Sequence, residues 1–270
     1  MLIRFVRHFL LAIQFFTRIP ITGRLAEWVG YSPTMLRNSA AYFPAVGWIV
    51  GAFSATVFAV FVDILPDLPA TPWVAAVLST AFSILLTGAF HEDGLADTAD
   101  GLGGGLTREQ ALEIMKDSRI GTYGSAALLL AMFSKLSLLV LLYQIDLAWS
   151  VVGLFAAHVT SRLMPLFLIR AMAHVGDTQQ SKSKPLADTI ESSTLLIGLL
   201  WWVTAIVLAA YFVPTIPLLM GTLGAVMATA CMAWRLHQRL QGFTGDGLGA
   251  TQQISEIGFY LGLVIAAGIV

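Results

Sequence analysis

Long apolar stretches, each close to the length of a membrane crossing, are the feature that most constrains the fold of this chain. A transmembrane helix needs about 20 mostly apolar residues, because the hydrocarbon core of a bilayer is about 30 Å thick. Seven stretches approach that length: Tyr42–Leu65, Pro72–Phe90, Tyr123–Ile145, Leu147–Ile169, Thr194–Val213, Ile216–Trp234 and Ile257–Val270. The pattern predicts an all-α, polytopic integral membrane helix bundle with about seven transmembrane helices.

The composition agrees with this prediction, since only 11% of the 270 residues are charged and 57% are hydrophobic. Soluble domains typically carry about 25% charged residues, so a soluble chain of this kind would be unable to cover its surface. We expect residues 1–270 to form a single integral membrane domain in a lipid bilayer. The one cysteine, Cys231, excludes a disulfide within the chain, and the net charge of −1 gives no basis for a nucleic-acid partner.

The N-terminal segment Leu2–Phe16 is apolar, but Arg4, Arg7 and His8 interrupt its beginning. It resembles a signal peptide, yet no small-x-small cleavage site follows it, so we expect it to be retained. We interpret it as an amphipathic helix that lies in the plane of the membrane, in preference to an eighth span.

The connections between the spans are of two kinds, which alternate along the chain. Three are short, acidic or proline-containing, and lack lysine and arginine: 63–71, Asp146 and 214–217. The others, with the N-terminus, hold 13 of the 15 basic residues: Arg4, Arg7, Arg18, Arg24, Arg37, Arg108, Lys116, Arg119, Arg170, Lys182, Lys184, Arg235 and Arg239. Because basic loops of membrane proteins face the cytoplasm, we expect the loops at about 91–122, 170–193 and 235–256 to carry a cytoplasmic active site, and the C-terminus to lie outside.

An acidic, glycine-containing motif, His-Glu-Asp-Gly-Leu-Ala-Asp-Thr-Ala-Asp-Gly at residues 91–101, directly follows the second predicted span. If that helix continues, Asp93, Asp97 and Asp100 fall at i, i+4 and i+7, within about 60° of one face. Three carboxylates on one face repel each other, and a hard divalent cation such as Mg²⁺ relieves the repulsion. The alternative is a solvated acidic loop beside a helix end. We favour the metal site.

Two further motifs lie on the same predicted side of the membrane. Thr107-Arg108-Glu109-Gln110 is a capping-box pattern for a helix to about Asp117. Lys116 and Arg119 lie near the end of this helix. One interpretation is that they bind phosphate, and the alternative is that they form ordinary surface ion pairs. Before the last span, a glycine-rich segment at 242–250 surrounds Asp246, which is a candidate fourth metal ligand.

Three polar side chains lie inside predicted spans: Lys135 in the third, and His158 and Arg162 on one face of the fourth. Intramembrane charges are costly and usually functional. Arg162 either reaches the acidic site and binds phosphate or pairs with a buried carboxylate.

Carboxylates that bind a cation at a membrane surface, with basic residues nearby, suit Mg²⁺-dependent phosphoryl-type transfer. One alternative is a transporter with an acidic cation site, although transporter sites usually lie at the midplane. Another is a phosphotransferase of the CDP-alcohol type. The chain has Asp-Gly-x2-Asp where that family has Asp-Gly-x2-Ala-Arg, so we do not assign it there.

Several of these motifs resemble, in order along the chain, those of the adenosylcobinamide-GDP ribazoletransferase, or cobalamin synthase, family. They are Gln14–Pro20, His91–Asp97, Asp100-Gly101, Ile114–Gly124, Phe243–Asp246 and Gly249-Ala250. The resemblance implies the last step of cobalamin nucleotide-loop assembly in a bacterial or archaeal cell membrane, here the inner membrane. Adenosylcobinamide-GDP and α-ribazole, or its 5′-phosphate, give adenosylcobalamin, or its 5′-phosphate, and GMP, with Mg²⁺ as the cofactor.

The reaction that the resemblance implies assigns roles to the motif residues as hypotheses. Asp93, Asp97, Asp100 and Asp246 hold Mg²⁺, and Glu92 or His91 takes the proton from the attacking hydroxyl. Phosphate binding falls to Lys116, Arg119 and Arg162. The resemblance is also compatible with a homo-oligomer and with contacts to other enzymes of cobalamin assembly.

Overall fold

A computed structural model of the chain describes residues 2–176 and 190–268. Twelve α-helices account for most of these residues, and a 3₁₀ turn at Ala40–Tyr42 joins the third to the fourth. In chain order they are α1 Leu2–Phe16, α2 Gly23–Val29, α3 Pro33–Ser39, α4 Phe43–Ile64, α5 Thr71–Thr87, α6 Phe90–Gly104, α7 Arg108–Ile114, α8 Thr122–Ile145, α9 Leu147–Ala171, α10 Ser192–Ala209, α11 Thr215–Leu240 and α12 Gly245–Ala267.

Apolar helices long enough to cross a bilayer confirm the prediction of a polytopic all-α membrane protein. Among the described residues five segments qualify, or six if α5 and α6 form one broken span: Pro33–Ile64, Thr122–Ile145, Leu147–Ala171, Ser192–Ala209 and Thr215–Leu240. The number of about seven stays a prediction. The last span, predicted at 257–270, belongs to α12, which begins earlier, at Gly245, because its polar first half is helical as well.

The N-terminal helix α1 has 15 residues. At 1.5 Å per residue it reaches about 23 Å, which is less than the hydrocarbon thickness of about 30 Å. Its length therefore supports the in-plane interpretation over an eighth span.

Helix α9 forms the centre of the bundle, and most of its residues are buried. Glycines let α4 pack directly on it: a Cβ atom added at Gly47 would lie 2.8 Å from the Cα of Val159, and one at Gly51 would lie 3.0 Å from the Cα of Phe155. Helices α11 and α12 pack in the same way, through Gly224 and Gly258. Because lipid offers no hydrophobic drive for helix association, such close backbone contacts are a main source of packing energy.

The segments predicted as active-site loops are largely helical. Residues 91–122 contain most of α6 and all of α7, and 235–256 contain the end of α11, a short turn and the first half of α12. These segments lack the long apolar runs of a membrane span. They are helical because they pack against the bundle, and this packing stabilises a helix that does not cross the membrane. Of the predicted loop 170–193, residues 177–189, with Lys182 and Lys184, lie outside the described residues.

Candidate active site

The acidic motif lies on α6, which turns by 90° relative to α5. The second predicted span therefore does not continue straight into the motif. The break occurs at Gly88 and Ala89, both of which adopt left-handed backbone conformations with φ of 69° and 59°. A left-handed glycine commonly ends a helix. Helix α5 thus ends at Thr87, and α6 begins a separate helix at Phe90, on which the i, i+4, i+7 spacing of the aspartates is preserved.

A close crossing of α6 and α12 brings the second acidic motif to the first. A Cβ atom added at Gly94 would lie 2.8 Å from the carbonyl oxygen of Asp246 and 3.2 Å from the Cα of Gly249. One added at Gly249 would lie 3.4 Å from the Cα of His91. At Gly94 any side chain would collide with this backbone, so the approach requires glycine there. It places Asp246 beside the face of α6 that carries the aspartates, although about 150 residues separate the two motifs.

The proximity of these carboxylates is visible in their electrostatics. Partial burial, reinforced by the charges of Asp93, Asp246 and Asp100, raises the pKa of Asp97 to about 7. Burial and the charge of Asp93 raise the pKa of Asp246 to about 6, against a lowering backbone hydrogen bond. Asp93 itself is exposed. The structure therefore brings Asp93, Asp97 and Asp246 together as a mutually repelling group at the end of the bundle, which we call the carboxylate cluster.

Asp100 lies near this cluster but has a distinct environment. Its side chain is buried, and its two carboxylate oxygens accept hydrogen bonds from the backbone N–H groups of Gly121, at 2.7 Å, and Gly124, at 2.8 Å. These groups belong to the first turn of α8, whose N–H groups lack partners within the helix. Asp100 thus caps α8 from outside and fixes it to α6. Its role as a metal ligand stays a prediction.

The donor set of the carboxylate cluster suits a hard cation. Among residues 2–176 and 190–268, no three His, Cys, Asp or Glu side chains are gathered closely enough to hold an ion by themselves. Mg²⁺ does not require such a cage, because it is usually bound by one or two carboxylates together with water and substrate phosphate oxygens. One or two carboxylates of this cluster, with water and substrate oxygens, would suit Mg²⁺, and the metal site at Asp93, Asp97 and Asp246 stays a prediction.

The two candidate bases, His91 and Glu92, have different surroundings. His91 is 1% exposed and stacks on Phe43, with 5.9 Å between ring centroids, and burial and the Arg162 charge hold its pKa well below the usual value. Burial raises the pKa of Glu92. The Glu92 Oε1 atom accepts a 3.0 Å hydrogen bond from Gln253, and Oε2 is buried without a hydrogen-bond partner among the described residues. The Nε2 atom of His91 is likewise buried without a hydrogen-bond partner among these residues, and the choice between the two bases stays a prediction.

The predicted phosphate ligands lie in two different places. Lys116 and Arg119 are exposed near the end of α7. The Arg119 guanidinium forms a 2.6 Å ion pair with Asp117, and these hydrogen bonds lower the pKa of Asp117 to about 2. For Arg119, this contact is the surface ion pair that was predicted as the alternative to phosphate binding.

Arg162, by contrast, is 1% exposed inside the bundle. Its Nη1 atom lies 3.0 Å from both the ring Nδ1 and the carbonyl oxygen of His158. The structure therefore does not place Arg162 at the surface with the other two cations.

Gln252 and Gln253, which were not predicted as site residues, are buried on the first half of α12. They connect Glu92 to an ion pair inside the bundle between Lys135 and Glu256, whose Nζ and Oε1 atoms lie 2.6 Å apart. Two consecutive glutamines beside a glutamate, just before an apolar run, were the signal for this cluster, because buried polar groups need partners.

Comparison with known proteins agrees with the geometry. The model of the cobalamin-5-phosphate synthase family matches residues 8–264. A Polaromonas species has a protein named adenosylcobinamide-GDP ribazoletransferase that is 51% identical, covering 97% of this chain and 98% of its own. Proteins of the same name from Albidiferax ferrireducens and Vibrio cholerae are 52% and 42% identical, covering 97% and 94% of this chain and 99% and 91% of their own. No solved structure matches the chain. The matched residues span nearly the whole chain and include the carboxylate cluster and Glu92, and the chain belongs to the cobalamin-5-phosphate synthase family.

Proposed function

We infer that this chain is an adenosylcobinamide-GDP ribazoletransferase, which joins adenosylcobinamide-GDP to α-ribazole, or to its 5′-phosphate. The products are adenosylcobalamin, or its 5′-phosphate, and GMP. The observation that carries this inference is the crossing at Gly94 and Gly249, which joins two distant family motifs into one carboxylate cluster. A cluster of this kind at a membrane surface suits a substrate that carries a pyrophosphate.

The reaction forms one bond and breaks one. A ribose hydroxyl oxygen of α-ribazole, other than the 5′-hydroxyl because the 5′-phosphate is also an acceptor, attacks the phosphorus atom attached to cobinamide, and the bond from that phosphorus to the bridging oxygen breaks, so that GMP leaves. The hydroxyl proton passes to Glu92, whose Oε2 is the unused oxygen. We propose Glu92 rather than His91 as this base, because His91 is enclosed by aromatic rings.

The carboxylates of Asp93, Asp97 and Asp246 would hold Mg²⁺. When bound, the ion neutralises pyrophosphate charge and stabilises the charge that develops on the leaving phosphate. Lys116 and Arg119, which are exposed in the connection between α7 and α8, bind the phosphates of the GDP portion. Arg162 lies behind the motif, so we assign it a contribution of positive charge rather than direct contact.

We further propose that the active-site end of the bundle faces the cytoplasm in a bacterial inner membrane. The support is the distribution of charge, because 13 of the 15 basic residues lie in the N-terminal segment and the connections on that side.

The test is GMP release by the purified, detergent-solubilised protein when adenosylcobinamide-GDP, α-ribazole and Mg²⁺ are supplied. A transporter or scaffold would release none. Asp97→Asn keeps the size of the side chain but removes a charged oxygen, so we expect turnover to fall by about 10²-fold, as for loss of one group that stabilises a transition state, and the Mg²⁺ requirement to rise.

The matched control is Asp67→Asn, an exposed aspartate in the connection between α4 and α5 at the opposite end of the bundle, which should behave as wild type. Wild-type turnover and an unchanged Mg²⁺ dependence in Asp97→Asn would contradict the metal site.

A further inference from the structure

A continuous chain of hydrogen bonds leads from Glu92 into the interior of the bundle. The Nε2 group of Gln253 donates to Glu92 Oε1 and to Gln252 Oε1, both at 3.0 Å. The Nε2 group of Gln252 in turn donates to Ser161 Oγ at 2.9 Å and to Glu256 Oε2 at 2.8 Å. All four amide hydrogens of the two glutamines therefore have acceptors.

The inner end of this chain is a fixed charge pair. The Glu256 carboxylate is 1% exposed, and its Oε1 atom lies 2.6 Å from Lys135 Nζ, whose side chain is 3% exposed. The same oxygen accepts a 3.2 Å hydrogen bond from the hydroxyl of Tyr260. A carboxylate between a lysine and other donors is an acceptor only, so the group that faces its second oxygen must be a donor.

This requirement sets the direction of every bond between Glu256 and Glu92. If the amide of Gln252 were turned over, its carbonyl would face the carboxylate of Glu256, and two acceptors would meet in a buried site, which is costly. With Gln252 fixed, its carbonyl requires the NH₂ group of Gln253. The second hydrogen of that NH₂ group then points at Glu92, which must accept. The interior ion pair thus specifies, through two amides, that Glu92 receives a hydrogen bond.

We infer that Gln253 is a positioning residue for Glu92, oriented through Gln252 by the buried pair of Lys135 and Glu256. It holds Oε1 of Glu92 and leaves Oε2 for the attacking hydroxyl. This inference rests on the proposed function, in which Glu92 is the general base. Gln253 transfers no proton and has no contact with the reacting atoms, so its effect is on geometry alone.

A double-mutant cycle tests the inference, with wild type, Glu92→Gln, Gln253→Met and the double variant. Methionine has nearly the length and volume of glutamine but donates no hydrogen bond. We expect Gln253→Met to lower kcat for GMP release about 10- to 100-fold, since a displacement of about 1 Å at a catalytic group has that effect. The KM values for both substrates should stay close to wild type, whereas the midpoint of thermal unfolding should fall, because two buried oxygens lose their donor.

The decisive comparison is the double variant. Loss of a general base lowers kcat by about 10²- to 10⁴-fold, so we expect Glu92→Gln to show such a loss. If Gln253 acts only by positioning Glu92, adding Gln253→Met to Glu92→Gln should lower kcat no further. A structural role would lower kcat by the same factor in both backgrounds, and that result would overturn the inference.

Two more variants serve as a control and as a replacement for Gln253→Met. Thr251→Val changes a buried neighbour on the same helix, whose hydroxyl donates to the carbonyl oxygen of Gly247, and it should keep wild-type kcat. If Gln253→Met fails to fold, Gln252→Met removes the next link in the chain, and its loss of kcat should also disappear in the Glu92→Gln background.

The outcomes separate the two proposals. Absence of GMP release from the wild-type protein would reject the proposed function. Release by wild type with full kcat in Glu92→Gln would reject Glu92 as the base, and the positioning role with it. Release by wild type, loss in Glu92→Gln and additive losses in the double variant would reject only the positioning role.

Discussion

Replacement of Lys135 by methionine should destabilise the bundle, because it removes the cation that forms the 2.6 Å ion pair with the buried carboxylate of Glu256. The two groups are 2.6 Å apart and no more than 3% exposed. At an effective dielectric constant of about 20, charges at that distance attract by roughly 6 kcal/mol before desolvation is subtracted. Breaking a buried pair typically costs about 3–5 kcal/mol. Gln252 and Tyr260 still donate to Glu256, so we expect a loss near the lower end, about 3 kcal/mol.

The measurement is the free energy of unfolding in mixed micelles, with denaturing detergent as the titrant and tryptophan fluorescence as the signal. The matched control is Arg24→Met, which removes an exposed cation from α2 and should change the stability by less than about 0.5 kcal/mol. The double variant Lys135→Met with Glu256→Gln removes both charges, so it should be more stable than the sum of the two single losses predicts by at least about 1 kcal/mol.

Two results would refute this reasoning. If Lys135→Met is within about 1 kcal/mol of wild type, the pair behaves like an exposed salt bridge and is not sealed in the bundle. If the two single losses simply add in the double variant, Lys135 and Glu256 do not interact as the structure indicates.

Two further predictions concern the carboxylate cluster. The pKa of Asp97 is raised to about 7, and below that pH a cation must displace the proton of this carboxyl. The affinity for Mg²⁺ should therefore fall by roughly tenfold from about pH 8 to about pH 6. Titration calorimetry measures this affinity, and an equal pH dependence in Asp97→Asn would contradict the prediction. Gly94→Val places a branched side chain where even a Cβ atom would lie 2.8 Å from the carbonyl oxygen of Asp246, so turnover should fall about 10²-fold as the motifs separate. In the control Gly104→Ala the new Cβ meets only the end of Ile114, at 3.4 Å, and unchanged turnover is expected. Equal activity of the two glycine variants would refute the role of the crossing.

The apolar stretches predict the helices of the bundle well, because in lipid both the length and the hydrogen bonding of a span are set by the membrane. Helix α4, for example, begins and ends within one residue of the predicted stretch 42–65. The polar helices were harder to predict. The break before α6 combines a left-handed Gly88, a residue that commonly ends helices, with a left-handed Ala89, a conformation that alanine rarely adopts and that the residue type does not signal.

Part of the candidate site could likewise be predicted from the sequence, and part could not. The helical spacing of Asp93 and Asp97, and the shared side of the membrane with Asp246, follow from the sequence. The use of Asp100 as a cap does not, because it depends on where the first turn of α8 lies relative to α6. A capping role of this kind follows from tertiary contact rather than from the spacing of aspartates.

The buried glutamines connect a side chain next to the carboxylate cluster to fixed groups in the interior of the bundle. In the proposed function the carboxylate cluster exchanges ions and substrates with water, and its Asp93 is exposed. Glu92, one residue before the cluster, is connected through Gln253 and Gln252 to charges that are fixed between helices. In a low-dielectric interior such bonds are stronger and their directions are better defined than at the surface. Changes to the outer carboxylates should therefore alter Mg²⁺ affinity, whereas changes to the inner amides should alter kcat while Mg²⁺ affinity stays constant.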